Sequence, residues 1–293
     1  MKKPNFFIMG APKCGTSSLY RYLSGHPQAF LSTPKEPHHF NTDSANRYFV
    51  DRGAYEELFR DVPESALAVG EASVRYLWST DAARNIIEYE PQARFIVLVR
   101  NPVEMAPSVH QQELFNLNEN VQDFEKAWVL NDVRWRGEQV PRHCVDQRML
   151  HYGFVCSNGA HLQRLFATVG TQQVLVIVMD DLRSNPGAEF ARVLEFLDLP
   201  AWAPPTFEVA NAAKARRSRI LRWAVLEAAR IKRSLGMTAS LGVLKSMNKW
   251  NVRPKSRQPL DSGMHDRLMG YFEQDIALLE RLLDRDFSHW RIE

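Results

Sequence analysis

The chain has few of the residues that would staple it together or hold it in a bilayer. Its 293 residues contain three cysteines, Cys14, Cys144 and Cys156, with no CxxC pair and no even set for a disulfide framework. Cys144 and Cys156 could pair only if the fold brought them together, and this usage points to a reducing, cytoplasmic setting. No apolar run approaches the roughly 18 residues of a membrane-spanning helix. The opening MKKPNFFIMG is basic, but its apolar stretch is too short for a secretory leader and reads as a first strand. Metal-ligand spacing is lacking as well. His38 and His39 are adjacent, so a strand would aim them at opposite faces. Internal repeats and low-complexity tracts are also absent.

What remains is ordinary globular composition, 45% hydrophobic and 24% charged. The net charge of +3 is unevenly spread: residues 211–258 hold 13 Lys or Arg against one acid, Glu227, which leaves the remainder at −9. Such a stretch suits a phosphate or sulfate, an acidic polymer or a membrane surface. Runs at 5–10, 94–100 and 173–181 are rich in Val and Ile and read as buried strands, with 66–73 a weaker one. Helical patterns follow at 16–24, 80–89, 102–117, 157–169 and 186–197. This alternation predicts an α/β three-layer fold, a central, mostly parallel sheet flanked by helices. The Pro-rich LPAWAPPTF (199–207) closes the regular unit. The expectation is one domain over 1–293, with a core at about 5–200 and a basic, helical extension at about 205–293 that ends in a helix at 265–283. Within the extension, Leu221, Ala224, Val225, Ala228 and Ile231 line one side of an amphipathic helix.

Two segments carry the chemistry. In FFIMGAPKCGTSSLYRYL (6–23) an apolar strand ends at Gly10 and a short loop leads into a helix. Gly15 lets the backbone approach an anion at the helix's positive end, Lys13 adds a mobile charge, and Thr16, Ser17 and Ser18 offer hydroxyls. A magnesium-triphosphate P-loop places its Lys after the second glycine; here Lys13 precedes Gly15. In RFIVLVRNPVEMAPSVH (94–110) a strand runs straight into a helix start, with Asn101 as cap and Pro102 in the first turn. Arg100 would face the crevice at the strand's end, and Ser108 follows eight residues on. By themselves these residues also fit a capped helix and a surface arginine paired with Glu104. STPKEPHHFN (32–41) supplies the acid–base candidates Glu36, His38 and His39.

GAPKCGTSSLYRYLSGHP followed by KEPHHF resembles the opening of sulfotransferases that use 3′-phosphoadenosine 5′-phosphosulfate (PAPS), in the style of heparan sulfate O-sulfotransferases and their soluble bacterial relatives. The resemblance implies a P-loop-like nucleotide-binding fold. It gives Lys13, Cys14, Gly15, Thr16, Ser17 and Ser18 to the 5′-phosphosulfate and Arg100 with Ser108 to the 3′-phosphate. It makes Glu36 the base, with His38 lining the acceptor site and competing for that role. Arg216 or Arg217, in the basic stretch after the last α/β helix, would reach the 3′-phosphate. The chain departs from the family pattern at Asn101, where Asp is usual, at Ala72, where glycan enzymes carry a substrate-binding Lys, and at His39-Phe40-Asn41 for Phe-Phe-Asp. VLVIVMDD looks like a Walker B strand, but without its partner motif Asp180 and Asp181 read as capping or pairing residues.

The implied enzyme is a PAPS-dependent sulfotransferase. It would move a sulfuryl group, by in-line displacement and without a metal, to a hydroxyl of a carbohydrate, glycolipid or natural product. A P-loop small-molecule kinase and a non-catalytic nucleotide-binding protein are the alternatives. The expected partners are a small-molecule or glycan acceptor, no nucleic acid, no transmembrane segment, and a peripheral membrane contact through 211–258.

Overall fold

The computed structural model describes residues 2–45, 47–208 and 260–292, together with the backbone of 214–216 and 252–254. Its centre is a five-stranded sheet of β1 (Phe6–Gly10), β2 (Ala29–Leu31), β3 (Ala68–Ala72), β4 (Arg94–Val99) and β5 (Val174–Val178). The strands run in the order β2-β3-β1-β4-β5 and every pairing is parallel. A parallel sheet covered on both faces needs apolar residues at successive positions. All of β1 and β3 is buried, as is β4 after Arg94. β3 reads weakly from its sequence, AVGEA, because it is built of small residues. The reason is steric: a Cβ on Gly70 would lie 2.5 Å from the Phe6 ring, which covers that position.

Around the sheet stand α1 (Thr16–Ser24), α2 (Arg52–Glu56), α3 (Ala82–Tyr89), α4 (Pro102–Asn116), α5 (Phe124–Val129), α6 (Asn131–Trp135), α7 (Tyr152–Cys156), α8 (Asn158–Val169), α9 (Met179–Ser184), α10 (Pro186–Phe196) and α11 (Ser262–Leu283). α11 packs against α8 and α4. Gly159 permits this: a Cβ there would meet the Asp275 carbonyl at 2.4 Å. Asp275 in turn accepts the Gly159 and Ala160 N–H groups, each at 2.9 Å, and so caps α8 from another helix.

Two expectations change. The third apolar strand ends at Val178, and Met179–Ser184 turn into α9, with Asp180 and Asp181 in its first turn. There Asp180 accepts the Trp290 indole N–H at 2.7 Å and Asp181 pairs with Arg285. The extension also contains a short antiparallel pair, β6 (Lys214–Arg216) with β7 (Val252–Pro254), which sequence periodicity did not indicate. The amphipathic helix near 221–231, Arg217 and the proposed membrane contact lie outside the described residues. All three cysteines are free, two of them buried. Among the described residues no helix is long and apolar enough to cross a membrane.

Because the strands are parallel, the loops after β1, β2, β3 and β4 emerge at one edge. Open α/β sheets bind ligands there. Every candidate residue of the core is carried by one of those loops or by the helix that follows it.

Candidate active site

The loop after β1 is shaped by two left-handed residues, Lys13 at φ 67° and Gly15 at φ 95°. Gly15 is the N-cap of α1 and has no side-chain capping bond. The Lys13 ammonium lies 3.3 Å from Gln112 Oε1 on α4. Cys14 is buried with its Sγ 3.8 Å from Met105 Sδ, and burial pushes its thiol up to about 12. Its side chain therefore belongs to the core, and only its backbone is left for a ligand. Thr16 and Ser18 are buried and Ser17 is half-buried. The Ser18 hydroxyl bonds to Tyr22 one turn along α1, which directs it along the helix.

Arg100 is only 1% exposed. Its guanidinium donates to Glu104 Oε2 through Nε at 3.2 Å and through Nη2, and Nη1 lies 3.5 Å from the Lys13 carbonyl. The pairing with Glu104 expected of a surface arginine is present, but the arginine is interior and touches the loop that bears Lys13. Glu104 itself is half exposed and has a second cation, Arg183, at 3.8 Å. Ser108 is buried one turn beyond Glu104 on α4. The backbone of β6, which includes Arg216, runs beside α4. Asn101 Oδ1 accepts the Val103 N–H at 3.0 Å, while its Nδ2 donates to the Trp290 carbonyl at 3.1 Å.

The segment after β2 carries the acid–base candidates in an unusual backbone: Glu36 has φ 64° and His38 φ 49°. Glu36 Oε1 accepts from Lys35 Nζ at 3.0 Å, and Oε2 stands 3.4 Å from His38 Nε2. Burial works against ionisation of Glu36, but the polar edge of His38 at 3.4 Å and the Lys35 ammonium at 3.0 Å outweigh it and lower the carboxyl's pKa. Its side chain remains 34% exposed, so a ligand can reach it. His38 is fully buried, and burial lowers its pKa in spite of Glu36, so the imidazole is neutral at pH 7. Neither ring nitrogen makes an aligned hydrogen bond; the contact with Glu36 is a short approach without good geometry. The Tyr48 ring, 66% exposed, lies over His38 at 5.9 Å. His39 is engaged with other groups. It stacks on Tyr55 at 4.4 Å and its Nδ1 meets the Phe49 carbonyl at 2.6 Å.

Two buried acids escaped the sequence reading. Burial pushes Glu71 up to about 7 even though Tyr55, Ser73 and Tyr76 all donate hydroxyl bonds to it. Burial likewise pushes Glu113 up to about 7, opposed by a 2.5 Å bond from Asn118 and by the charge of Arg75. Each feels the Glu36 charge. A lone carboxylate inside a run of small apolar residues, as in AVGEAS, is the signal that could have exposed Glu71.

The arrangement thus joins an uncapped helix start, two cations and a reachable carboxylate at one sheet edge. A family model described as "Sulfotransferase domain" matches residues 3–240. The chain belongs to the sulfotransferase family. It is 26% identical to a sulfotransferase from Alicyclobacillus acidocaldarius, whose solved structure it matches with a TM-score of 0.73 over 99% of this chain and 100% of that one. Among curated relatives it is 24% identical to the mouse bifunctional heparan sulfate N-deacetylase/N-sulfotransferase 4, over 96% of this chain and 30% of that protein. It is 25% identical to human carbohydrate sulfotransferase 15, over 67% of this chain and 44% of that protein. The chain therefore spans less than half the length of these two relatives.

Proposed function

We propose that this sulfotransferase draws its sulfuryl group from PAPS and delivers it to a hydroxyl of a carbohydrate, glycolipid or natural product. The observation that carries the reading is the single edge shared by the Lys13 loop, the Arg100 guanidinium against that loop's carbonyl, and Glu36 over neutral His38. The donor set suits a molecule bearing two anionic groups: an α1 N-terminus without a side-chain cap, the Lys13 ammonium, and a buried arginine whose present counter-ion is a half-exposed carboxylate.

PAPS supplies the sulfuryl group; its bond from sulfur to the phosphate oxygen breaks as the acceptor oxygen bonds to sulfur. Lys13 meets the charge left on the departing phosphate, and the α1 N–H groups add to it. Ionised Glu36 receives the acceptor's hydroxyl hydrogen bond and then its proton. His38, 3.4 Å behind and neutral, lines the acceptor site beside Glu36 and is the competing candidate for the base. Arg100 exchanges Glu104 for the 3′-phosphate, with Ser108 as a hydroxyl donor. Arg216 or Arg217, in the basic stretch after the last α/β helix, would add a further charge at the 3′-phosphate. The names of the relatives support carbohydrate as the acceptor class, and one of them speaks of N-sulfotransfer, so an amine belongs in any acceptor panel.

The test supplies sulfur-labelled PAPS with hydroxyl and amine acceptors and with cell extracts. The expected result is label on a hydroxyl product, lost in Glu36→Gln while 3′-phosphoadenosine 5′-phosphate still binds. Binding of that nucleotide with no transfer to any acceptor would make the chain a non-catalytic member of its family. Turnover of magnesium-ATP would return the reading to a kinase.

A further inference from the structure

The sulfotransferase reading assigns roles to Glu36 and His38 but leaves open what holds two left-handed residues in so short a segment. Non-glycine residues adopt this conformation only when their surroundings determine it. Pro37 between them fixes one φ angle and supplies no N–H. The remaining N–H groups lead to the end of β3 and the loop after it. Glu36 N–H donates to the Ala72 carbonyl at 3.0 Å. His38 N–H donates to Ser73 Oγ at 3.2 Å. The His39 and Phe40 N–H groups both donate to the Tyr76 hydroxyl, at 2.9 and 3.2 Å.

Those two hydroxyls are themselves anchored. Ser73 Oγ donates to Glu71 Oε2 at 2.6 Å and Tyr76 Oη donates to Glu71 Oε1 at 2.9 Å, where Tyr55 Oη joins at 3.0 Å. A hydroxyl has one proton and two lone pairs. By claiming the single proton of each, the Glu71 carboxylate turns the lone pairs of Ser73 and Tyr76 towards the N–H groups of residues 38–40. This polarity needs the ionised, acceptor-only form of Glu71, which the three hydroxyl bonds favour and burial opposes. Glu71, Ser73 and Tyr76 are all buried, and Tyr76 also meets the His38 ring edge-on at 6.1 Å.

Resting on the proposed reaction, we infer that Glu71 is a positioning residue for the acid–base segment, acting through Ser73 and Tyr76 to set the backbone from which Glu36 and His38 project. It touches no substrate. Its carboxylate orients two hydroxyls, and the hydroxyls orient the chain.

The experiment uses the full chain with Ser73→Ala, Ser73→Thr, Tyr76→Phe and Glu71→Gln. Two readouts are taken: the His38 imidazole titration by NMR, and transfer kinetics beside calorimetric binding of 3′-phosphoadenosine 5′-phosphate. In the wild type His38 should titrate below its ordinary value. In Ser73→Ala and Tyr76→Phe the titration should move up towards that value as the segment loosens and admits water. kcat should fall by about tenfold or more, as misplacement of a proton-transfer group costs, with nucleotide affinity within about twofold. Ser73→Thr, which keeps the hydroxyl, should restore both readouts. Glu71→Gln retains one acceptor oxygen and should fall between wild type and the two deletions. An unmoved His38 titration together with unmoved kcat in both hydroxyl deletions would overturn the inference. Failure of the wild type to bind the nucleotide would instead overturn the reaction, and the NMR titration would still judge the brace.

Discussion

Removing the charge of Glu104 should tighten nucleotide binding at the 3′ end. Arg100 is interior, and its counter-ion in the described structure is Glu104, which is 52% exposed. A 3′-phosphate that takes Arg100 must displace that carboxylate. Two unit charges at contact distance interact by about 4 kcal/mol at an effective dielectric constant near 20. Exposure of Glu104 reduces this to about 1 kcal/mol, and Arg183 at 3.8 Å waits to receive the released carboxylate. Glu104→Gln removes the competition, so 3′-phosphoadenosine 5′-phosphate should bind about fivefold more tightly. Adenosine 5′-phosphate, which lacks the 3′-phosphate, should bind as before. Isothermal calorimetry of both nucleotides against both proteins closes the cycle, and the difference should shrink at high salt. Equal changes for the two nucleotides, or weaker binding of the bisphosphate, would refute the exchange of Glu104 for phosphate.

Three other outcomes are expected. Lys13→Ala should lower turnover by about 100-fold or more, the scale of losing one donor to a developing charge; a labelled-donor assay near wild-type rate would remove Lys13 from the reaction. Glu113→Gln should raise stability increasingly as pH rises from 5 to 8. The wild-type carboxyl has its pKa lifted from 4.5 to about 7, so the native state holds a proton that the unfolded chain gives up, and stability is lost with rising pH across that interval. Urea unfolding at the two pH values measures this, and a pH-independent gain would contradict it. Arg134→Met should cost about 3–5 kcal/mol in the same assay, because it strands the buried Glu119, which also accepts from Tyr152 at 2.6 Å and from the Asn120 and Val121 N–H groups.

The parts of this molecule visible in its sequence are those set by neighbours along the chain. β1 and β4 announce themselves as apolar runs, α4 by the Asn101-Pro102 start, and the Lys13 loop by its small residues. β2, three residues long, carries too little pattern to stand out. The strand expected over 173–181 ran too far because Met179 continues the apolar run, whereas the structure turns Asp180 and Asp181 into the start of α9. Glu71 was invisible for a different reason. Its role depends on Tyr55, Ser73 and Tyr76 converging from α2 and from the loop after β3, and that convergence is a property of the folded chain. Arg100 was placed at the sheet edge from sequence, but its burial and its contact with the Lys13 carbonyl required the packing of β1 beside β4.

The amide at position 101 does what the acid usual in the resembling motif could not. One atom closes the first turn of α4 while the other grips the main chain at Trp290, whose indole is moored to Asp180. A carboxylate would present oxygen to oxygen there. The turn at Trp290 is thus held beside the arginine turn by the Asn101 amide as well as by Asp180, and exchanging Asn101 for Asp would remove the first of these bonds and leave the helix cap in place.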